Sequence, residues 1–346
     1  MQDGVVLSSV PRLAVLPGDP AGVGPEMTVR LLQRKANLAK AELVLVADPL
    51  VVQAGERIVG QGRLAVTPVD RFPAAGEEPQ AGRLLFLAQD SLEGVAAPVG
   101  VCSAEAGRSV LASLDAALDA VAAARCDGIV FAPFNKHSLR LGGMTEEDEL
   151  RYMQRRLAVD GFVCEFNITG KLWTSRVTSH VPVRQVADQV TEAAVCDAVR
   201  IIDHALRSAG VAEPRIAVSG LNPHAGDGGS IGTEEIEVIA PAIRSMQAEG
   251  VNASGPWSPD TVFVAARRGD FDAVVSMYHD QGQIAMKLLG FEQGVTLHGG
   301  LPVPVATSAS GSAFDIAGKG VARVDGLEQA FGICCRMASA ARARQA

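Results

Sequence analysis

The sequence predicts an α/β protein of two domains, in which helices cover both faces of largely parallel sheets. Its 346 residues are enough for two such domains. A short apolar strand, a polar turn and an alanine-rich helix follow one another repeatedly, which is the order expected of a parallel sheet. Several polar clusters come directly after the apolar strands, where open parallel sheets bind their ligands.

The individual elements follow from apolar runs and from the helical spacing of apolar residues. The predicted strands are Arg12–Leu16, Glu42–Ala47, Arg83–Leu87, Ile129–Ala132 and Arg215–Ser219. The predicted helices are Met27–Gln33, Glu105–Ala124 and Val190–Ser208. The stretch 69–99 contains several Pro and Gly residues, so we expect irregular connections there on both sides of one short strand.

Composition and charge narrow the class of protein. Hydrophobic residues make up 48% and charged residues 20%, as in an ordinary globular protein with a filled core. The net charge is −8 and Lys and Arg form no run, which argues against nucleic acid or an anionic membrane as a partner. No apolar stretch reaches the roughly 20 residues that a membrane helix needs.

The amino-terminal segment and the cysteines indicate the compartment. Residues Met1 to Val10 include Asp3 and no basic residue, so we expect no secretory signal. The six cysteines are scattered without a Cys-x-x-Cys spacing, which disfavours both a zinc ribbon and a disulfide framework. Buried thiols in a reducing compartment fit this pattern, and we expect a cytoplasmic protein.

Five polar clusters share one position, because each follows the carboxyl end of an apolar strand. They are Gly18–Glu26, Pro133–Lys136, Thr178–His180, Asn222–His224 and Tyr278–Gln281. Carboxyl ends of parallel strands meet at one edge of a sheet, so we expect these clusters to form one ligand-binding cleft.

Three of these clusters carry a histidine, namely His180, His224 and His279. Imidazole is a common ligand for zinc and related ions, and a catalytic metal needs three protein ligands with an open position. The separations match no local metal motif, and each histidine alone could be a hydrogen-bonded loop residue. Their coincidence in strand-end loops predicts a metal site, with Asp280 next to His279.

Two glycine-rich segments and two lysines complete the candidates. The loop Gly18–Gly24 opens a helix, either as a tight turn or as an anion site, but it lacks the dinucleotide and Walker fingerprints. The segment Asn222–Gly232 has enough glycine to let its backbone approach a ligand closely. Lys136 follows a buried strand and favours a functional role, whereas Lys287 could equally be a surface lysine.

These motifs resemble the 4-hydroxythreonine-4-phosphate dehydrogenase family of vitamin B6 biosynthesis. The matching segments are GDPAGVGPE at 18–26, APFNK at 132–136, TSHVPV at 178–183, GLNPHAGDGG at 220–229, GPWSPDT at 255–261, MYHDQG at 277–282 and FDIAGKG at 314–320. They follow the family's order over nearly the whole chain.

The resemblance implies a fold like that of isocitrate and isopropylmalate dehydrogenases, with the active site in the interdomain cleft. Residues 1–135 with 300–346 would form the first domain, and 136–299 the second, which would carry the interface of a homodimer. The resemblance also implies oxidation of a small hydroxy acid by NAD or NADP, followed by decarboxylation, and a divalent metal. Zinc is the usual ion in the family, with magnesium, cobalt or manganese as alternatives.

The resemblance assigns the metal to His180, His224 and His279, shared between two subunits. We expect His180 and His279 to reach one metal from different chains. Lys136 or Asp280 would act as the base.

The remaining assignments concern the substrate and the coenzyme. Thr145, Lys287 and Thr296 would contact the substrate. Backbone groups near Gly226, Gly229 and Gly232 would hold the dinucleotide.

Four departures from the family's pattern concern the substrate. Met144 replaces a histidine, Thr296 an asparagine and Ala306 a phosphate-binding arginine, and the segment Ser310–Ala313 is shortened. Alanine cannot replace the planar fork with which arginine binds phosphate, so we expect phosphorylated substrates to be disfavoured.

Three alternatives for the function stay open. One is a dehydrogenase of a non-phosphorylated cyclic dihydrodiol carboxylate from aromatic catabolism. The others belong to different classes, namely a non-redox enzyme like the phosphate acyltransferases and a metal-binding protein without catalysis.

Overall fold

A computed structural model describes residues 10–290 and 294–345. The expectation that the chain begins without a secretory signal falls almost entirely on residues 1–9, which lie outside the described residues. Within the described residues, no helix combines the length and the apolar character required to cross a bilayer. All six cysteines are described and form no disulfide, and five of them are buried.

Strands and helices alternate along most of the chain. The strands are β1 (Arg12–Leu16), β2 (Glu42–Ala47), β3 (Thr67–Val69), β4 (Leu84–Ala88), β5 (Gly128–Phe131), β6 (Cys164–Thr169), β7 (Leu172–Arg176), β8 (Ile216–Ser219), β9 (Ala253–Trp257), β10 (Ala273–Ser276), β11 (Val295–Gly299) and β12 (Val305–Ser308). The helices are α1 (Gly24–Gln33), α2 (Lys35–Leu38), α3 (Pro49–Val59), α4 (Ala104–Ala122), α5 (Lys136–Gly142), α6 (Glu149–Arg156), α7 (Val186–Gln189), α8 (Glu192–Ser208), α9 (Ala240–Ala248), α10 (Val262–Arg268), α11 (His279–Gly290) and α12 (Asp325–Gln345).

The chain divides into two compact units. Unit 1 comprises the described residues up to Asp160 and from Leu301 onward, and unit 2 is Gly161–Gly300. The predicted boundary after residue 135 is therefore too early. The physical reason is packing: Leu139, Tyr152 and Met153 lie in the same hydrophobic cluster as β1 and α4, so 136–160 belong to unit 1.

Unit 1 contains a parallel sheet with the strand order β3-β4-β2-β1-β5-β12. The centre of this sheet is fully buried, since Ala14 of β1 is paired with Val44 of β2 on one side and Ile129 of β5 on the other. Strands buried on both faces read as continuous apolar runs, which is why β1 and β2 have the bounds predicted from the sequence.

Helices α4 and α5 of unit 1 approach each other through glycine. A Cβ atom placed on Gly107 would lie 1.8 Å from the carbonyl oxygen of Ser138, and one on Gly142 would lie 2.4 Å from the carbonyl carbon of Gly107. Neither position has room for a side chain. This contact fixes the direction of α5, which begins at Lys136.

Unit 2 contains a mixed sheet with the order β11-β6-β7-β10-β8-β9. Strand β6 is antiparallel to both β11 and β7, whereas β7, β10, β8 and β9 are parallel to one another. The adjacent parallel strands β7, β10 and β8 therefore end at one edge of the sheet. The three predicted histidine loops follow these three strands.

Candidate active site

The histidine pair at the ends of β7 and β10 is the centre of the candidate site. The ring centroids of His180 and His279 lie 5.7 Å apart. Two imidazoles bound to one tetrahedral zinc ion, each with a bond of about 2.1 Å, have their centroids roughly 5 Å apart. The pair therefore fits two ligands of one ion. Both rings of this pair come from one chain. The expectation that His180 and His279 reach one metal from different subunits stays a prediction.

Asp280 orients one member of this pair. Its Oδ1 lies 2.7 Å from Nδ1 of His279, which leaves Nε2 of that ring for a ligand. Metal-bound histidines commonly give their second nitrogen to a carboxylate in this way, which fixes the tautomer. The geometry thus supports an orienting role for Asp280. Among the described residues, Asp280 makes no second contact that would support its predicted role as the base.

His224 lies in a left-handed turn after β8. Five consecutive residues, His224 to Gly228, have positive φ between 43° and 78°. Three of them are not glycine, and each such L-residue costs about 1–2 kcal/mol in this conformation. His224 is exposed and close to Asp260: the Ser258 hydroxyl lowers the pKa of Asp260, and His224 lowers it further.

The third histidine stands apart from the pair within one chain. Among residues 10–290 and 294–345, the ligand nitrogens of His180, His224 and His279 do not gather within 4.8 Å of one another. The His180–His279 pair thus forms within one chain. His224 lies apart from that pair, on the turn that follows β8.

The side chains of Thr178 and Gln281 join the histidine loops to one another. The Thr178 hydroxyl donates to the carbonyl of Met277 at 2.8 Å, which links the loop after β7 to the loop after β10. The Gln281 side chain accepts from the Met277 amide at 2.7 Å and donates to the Gly220 carbonyl at 2.9 Å. The loop after β10 is therefore held to both neighbouring loops.

The Arg176 side chain holds the loop that contains His180 through hydrogen bonds and an ion pair. The side chain is only 5% exposed and pairs with Glu165 at 2.7 Å. It also donates to Asn167 and, through Nε, to Ser179, each at 3.0 Å. Gln283 of α11 donates to the same Asn167 oxygen at 2.6 Å. Ser179, the residue before His180, and α11, which begins at His279, therefore share one hydrogen-bond network.

The conformation of the turn explains why glycine occupies the three positions that were predicted to hold the coenzyme. Gly226, Gly229 and Gly232 all have positive φ. A Cβ on Gly226 would lie 2.7 Å from a carboxylate oxygen of Glu235, and one on Gly232 would lie 2.5 Å from the Asn222 amide nitrogen. Glycine is therefore required there by the fold of the turn itself, before any ligand is considered.

Lys136 and Thr145 belong to unit 1, and both are exposed. Lys136 is the first residue of α5, whose amino end is capped by Asn135: the Asn135 side-chain oxygen accepts from the amides of His137 and Ser138 at 2.9 and 3.0 Å. Asp19, at the carboxyl end of β1, is fully buried. Burial raises the pKa of Asp19, while the Ala21 amide and the Ser138 hydroxyl oppose that rise.

The substrate residues lie in different surroundings. Lys287 is exposed on α11, and Thr296 is half-buried in β11 opposite Asn167. Met144, in contrast, is 4% exposed within the hydrophobic core of unit 1, and Ala306 is fully buried in β12. Met144 is thus a core residue and not a replacement polar contact, so a histidine there would have to enter the core.

A cavity of about 840 Å³ lies elsewhere in unit 2. It is at the amino ends of β7, β8 and β10, and its described lining includes Lys171, Arg215 and Arg267. None of the predicted site residues is among the described residues that line it. It is therefore separate from the histidine loops, which follow the carboxyl ends of the same strands.

The chain is an α/β protein whose polar loops follow the carboxyl ends of parallel strands, the position at which open α/β sheets bind ligands. The sequence model of the family described as Pyridoxal phosphate biosynthetic protein PdxA matches residues 39–334. The chain belongs to this family, as its motifs predicted.

Individual relatives cover almost the whole chain. A Pseudomonas aeruginosa protein, provisionally named 4-hydroxythreonine-4-phosphate dehydrogenase 2, is 48% identical over 95% of this chain and 97% of that protein. The crystal structure of 4-hydroxythreonine-4-phosphate dehydrogenase from Klebsiella pneumoniae has a TM-score of 0.80 at 32% identity, covering 95% and 98%. The predicted α/β fold is thereby confirmed.

A relative with another substrate is also similar. The crystal structure of a terephthalate 1,2-cis-dihydrodiol dehydrogenase from Burkholderia xenovorans has a TM-score of 0.66 at 29% identity, covering 92% of this chain and 95% of that one. Both solved relatives are named as dehydrogenases of hydroxyl-bearing substrates.

Two contributors to the candidate site, Arg176 and Glu235, were missed in the sequence, and Gln281 was placed in a predicted cluster without its bonding role being recognised. Gln281 lies in the YHDQG motif, and its position there was the available signal. Arg176 and Glu235 act through contacts that only the folded chain creates, and no local pattern marked them.

Proposed function

We propose that this chain is a metal-dependent, NAD(P)-linked dehydrogenase of small hydroxy acids. His180, His224 and His279 would hold the metal. The observation that carries the proposal is the 5.7 Å pairing of the His180 and His279 rings, with Asp280 on the outer nitrogen of His279. Membership of the PdxA family and the names of its relatives support the same activity.

The proposed chemistry divides among this chain's residues. When bound, a divalent ion supplies Lewis-acid polarisation of the substrate's alcohol oxygen. Lys136, exposed at the start of α5, would accept the proton of that alcohol as general base. Asp280 would keep the proton of His279 on Nδ1 and so leave Nε2 for the metal. A product carrying a carboxylate β to the new ketone would then lose carbon dioxide.

Three side chains would bind the substrate, and one backbone segment would bind the coenzyme. Thr145, Lys287 and Thr296 would contact the substrate, with Lys287 providing positive charge for an anionic group. The backbone near Gly226, Gly229 and Gly232 would face the dinucleotide, and either NAD or NADP fits this proposal. The buried cysteines support a reducing, cytoplasmic compartment.

We propose that the enzyme is a homodimer. Unit 2 carries several large apolar side chains that are exposed in the single chain, among them Val183, Val264, Ile284 and Leu288. Ile284 and Leu288 are one turn apart on α11, which also begins with His279. A second copy covering this helix would bury them and bring its own residues to the metal site.

Two substrate classes remain to be separated by experiment. The names of the relatives at 48% and 38% identity favour a phosphorylated hydroxy acid. The dihydrodiol dehydrogenase structure and the alanine at 306 favour a non-phosphorylated carboxylate. A comparison of kcat/KM on 4-phosphohydroxythreonine and on a cyclic cis-dihydrodiol carboxylate, with each coenzyme, decides between them.

The metal assignment is tested by elemental analysis of purified protein and of His180→Ala and His279→Ala. Each substitution should remove the ion and the turnover together, since two remaining ligands cannot enclose the ion. His204→Ala is the matched control, because His204 is an exposed histidine on α8. Full turnover by metal-free protein would contradict the proposal. Acyl-phosphate formation independent of metal and nicotinamide would instead favour the acyltransferase alternative.

A further inference from the structure

The turn that carries His224 is held from inside by a carboxylate. Glu235 is only 2% exposed, and its Oε1 accepts from the amides of Leu221 and Asn222, each at 2.7 Å. Its Oε2 accepts from the Asn222 side-chain amide at 3.0 Å. Both residues directly precede the segment Pro223–Gly229, so the carboxylate fixes the start of the left-handed turn.

The same carboxylate also fills the interior of the turn. A Cβ on Gly226 would come within 2.7 Å of Oε2, and one on Gly220 within 3.0 Å of Oε1. Glu235 therefore touches the chain before and after His224. Glu234 adds a second acceptor for the Asn222 amide at 2.7 Å.

Such a turn does not persist without support. L-residues avoid the left-handed region, and three non-glycine residues, His224, Ala225 and Asp227, adopt it within four positions here. Glu235 holds the inner side of the turn through its carboxylate, in addition to backbone hydrogen bonds within the turn, while Asp227 and Ser230 bond to each other at its outer end. The position of the His224 ring therefore depends on a residue eleven places later in the chain.

We propose that Glu235 is a positioning residue that preorganises His224 for the metal and so sets the metal affinity. This inference rests on the proposed function, because it requires His224 to be a metal ligand. Without the carboxylate, the turn would relax toward ordinary φ values and carry the imidazole away from its position. The metal would then have to restore the turn each time it binds, which lowers its affinity.

The test is metal binding by Glu235→Gln in the full-length protein. Chelator-treated protein is titrated with Co²⁺, followed by its visible absorption, and with Zn²⁺ in competition with a chelator dye. We expect the affinity for both ions to fall by about 10–100-fold, as for other residues that orient a metal ligand. Glu235→Asp, which withdraws the charge by one methylene, should give a smaller loss.

A matched control separates positioning from stability. Asp48 is a buried carboxylate of unit 1 that accepts from three backbone amides, Leu50, Ser91 and Leu92. Asp48→Asn should lower the melting temperature of the metal-free protein as Glu235→Gln does, yet leave the Co²⁺ affinity unchanged. Ala225→Gly in the Glu235→Gln background should recover part of the affinity, because glycine adopts the left-handed conformation without strain.

The outcomes are distinguishable. Wild-type affinity in Glu235→Gln, with only a lower melting temperature, would overturn the inference and leave the proposed function standing. Failure of the wild-type protein to bind either ion would overturn the proposed metal site and the inference with it. If Glu235→Gln does not fold, Glu235→Asp and its Ala225→Gly combination give the same comparison.

Discussion

The glycine contact between α4 and α5 can be tested by replacing Gly107 with alanine. The new methyl group would lie 1.8 Å from the Ser138 carbonyl oxygen and 2.6 Å from its carbonyl carbon. Both are backbone atoms, so no rotamer change relieves the clash. Restoring even a 3.0 Å separation requires α5 to move by about 1.2 Å relative to α4.

The expected magnitudes follow from two opposing effects. Alanine is favoured over glycine inside a helix by about 1 kcal/mol. Overpacking against a close neighbour costs about 1–3 kcal/mol, and a rigid backbone places this case at the upper end. We therefore expect a net loss of about 2 kcal/mol in the free energy of unfolding. Activity should fall further, since a displacement of about 1 Å in a catalytic group can cost about 100-fold, and α5 begins at Lys136.

The matched control is Gly332→Ala in α12. Gly332 is also inside a helix, but a methyl group there meets nothing closer than the end of Arg336 at 3.7 Å. This variant should gain up to about 1 kcal/mol and keep its kcat/KM. Urea denaturation and steady-state kinetics measure both quantities. Equal stability of the two variants would refute the proposed role of the glycine contact.

Three further predictions concern stability. Ala124 lies two residues after the end of α4 and has a φ of 53°, so its replacement by glycine should raise the free energy of unfolding by about 1 kcal/mol. An unchanged urea midpoint would contradict this. The pKa of buried Asp19 is raised above 3.8, so its neutral form stabilises the fold below about pH 4, and that contribution is lost as pH rises through the native pKa. Asp19→Asn should therefore raise the melting temperature at pH 7 and progressively less toward pH 4, whereas a pH-independent effect would count against the burial argument. Arg176→Met should destabilise by about 3 kcal/mol, with partial recovery in combination with Glu165→Gln, as measured by thermal unfolding.

The central strands were predictable because their signal is local. β1 and β2 are buried on both faces, so each appears in the sequence as one charged residue, Arg12 or Glu42, followed by an uninterrupted apolar run. Strands β11 and β12 were not predicted, since they are short and contain Thr, His or Ser. The assignment of 136–160 to unit 1 also depends on long-range packing, which no local pattern reveals.

The candidate site was partly predictable for a related reason. The histidines follow strand ends, and the topology of parallel sheets brings strand ends together, so their proximity could be expected. The left-handed turn at His224 could not, because His, Ala and Asp usually adopt right-handed or extended conformations. Glu235 was not predicted because its role depends on a contact across the turn. The surrounding sequence TEEIE, residues 233–237, is typical of an ordinary helix start.

The insertion of unit 2 between β5 and β12 has a consequence for synthesis on the ribosome. Strand β5, Gly128–Phe131, is completely buried in the finished sheet, where β12 covers its outer edge. During translation, all of Gly161–Gly300 must emerge before β12 and α12 become available, which takes on the order of ten seconds at about 5–20 residues per second. Throughout that interval the nascent chain presents an apolar strand edge without its final neighbour, the kind of surface that pairs with other chains. Unit 1 begins first and closes last, so the edge of β5 stays without its neighbour for as long as unit 2 is being synthesised.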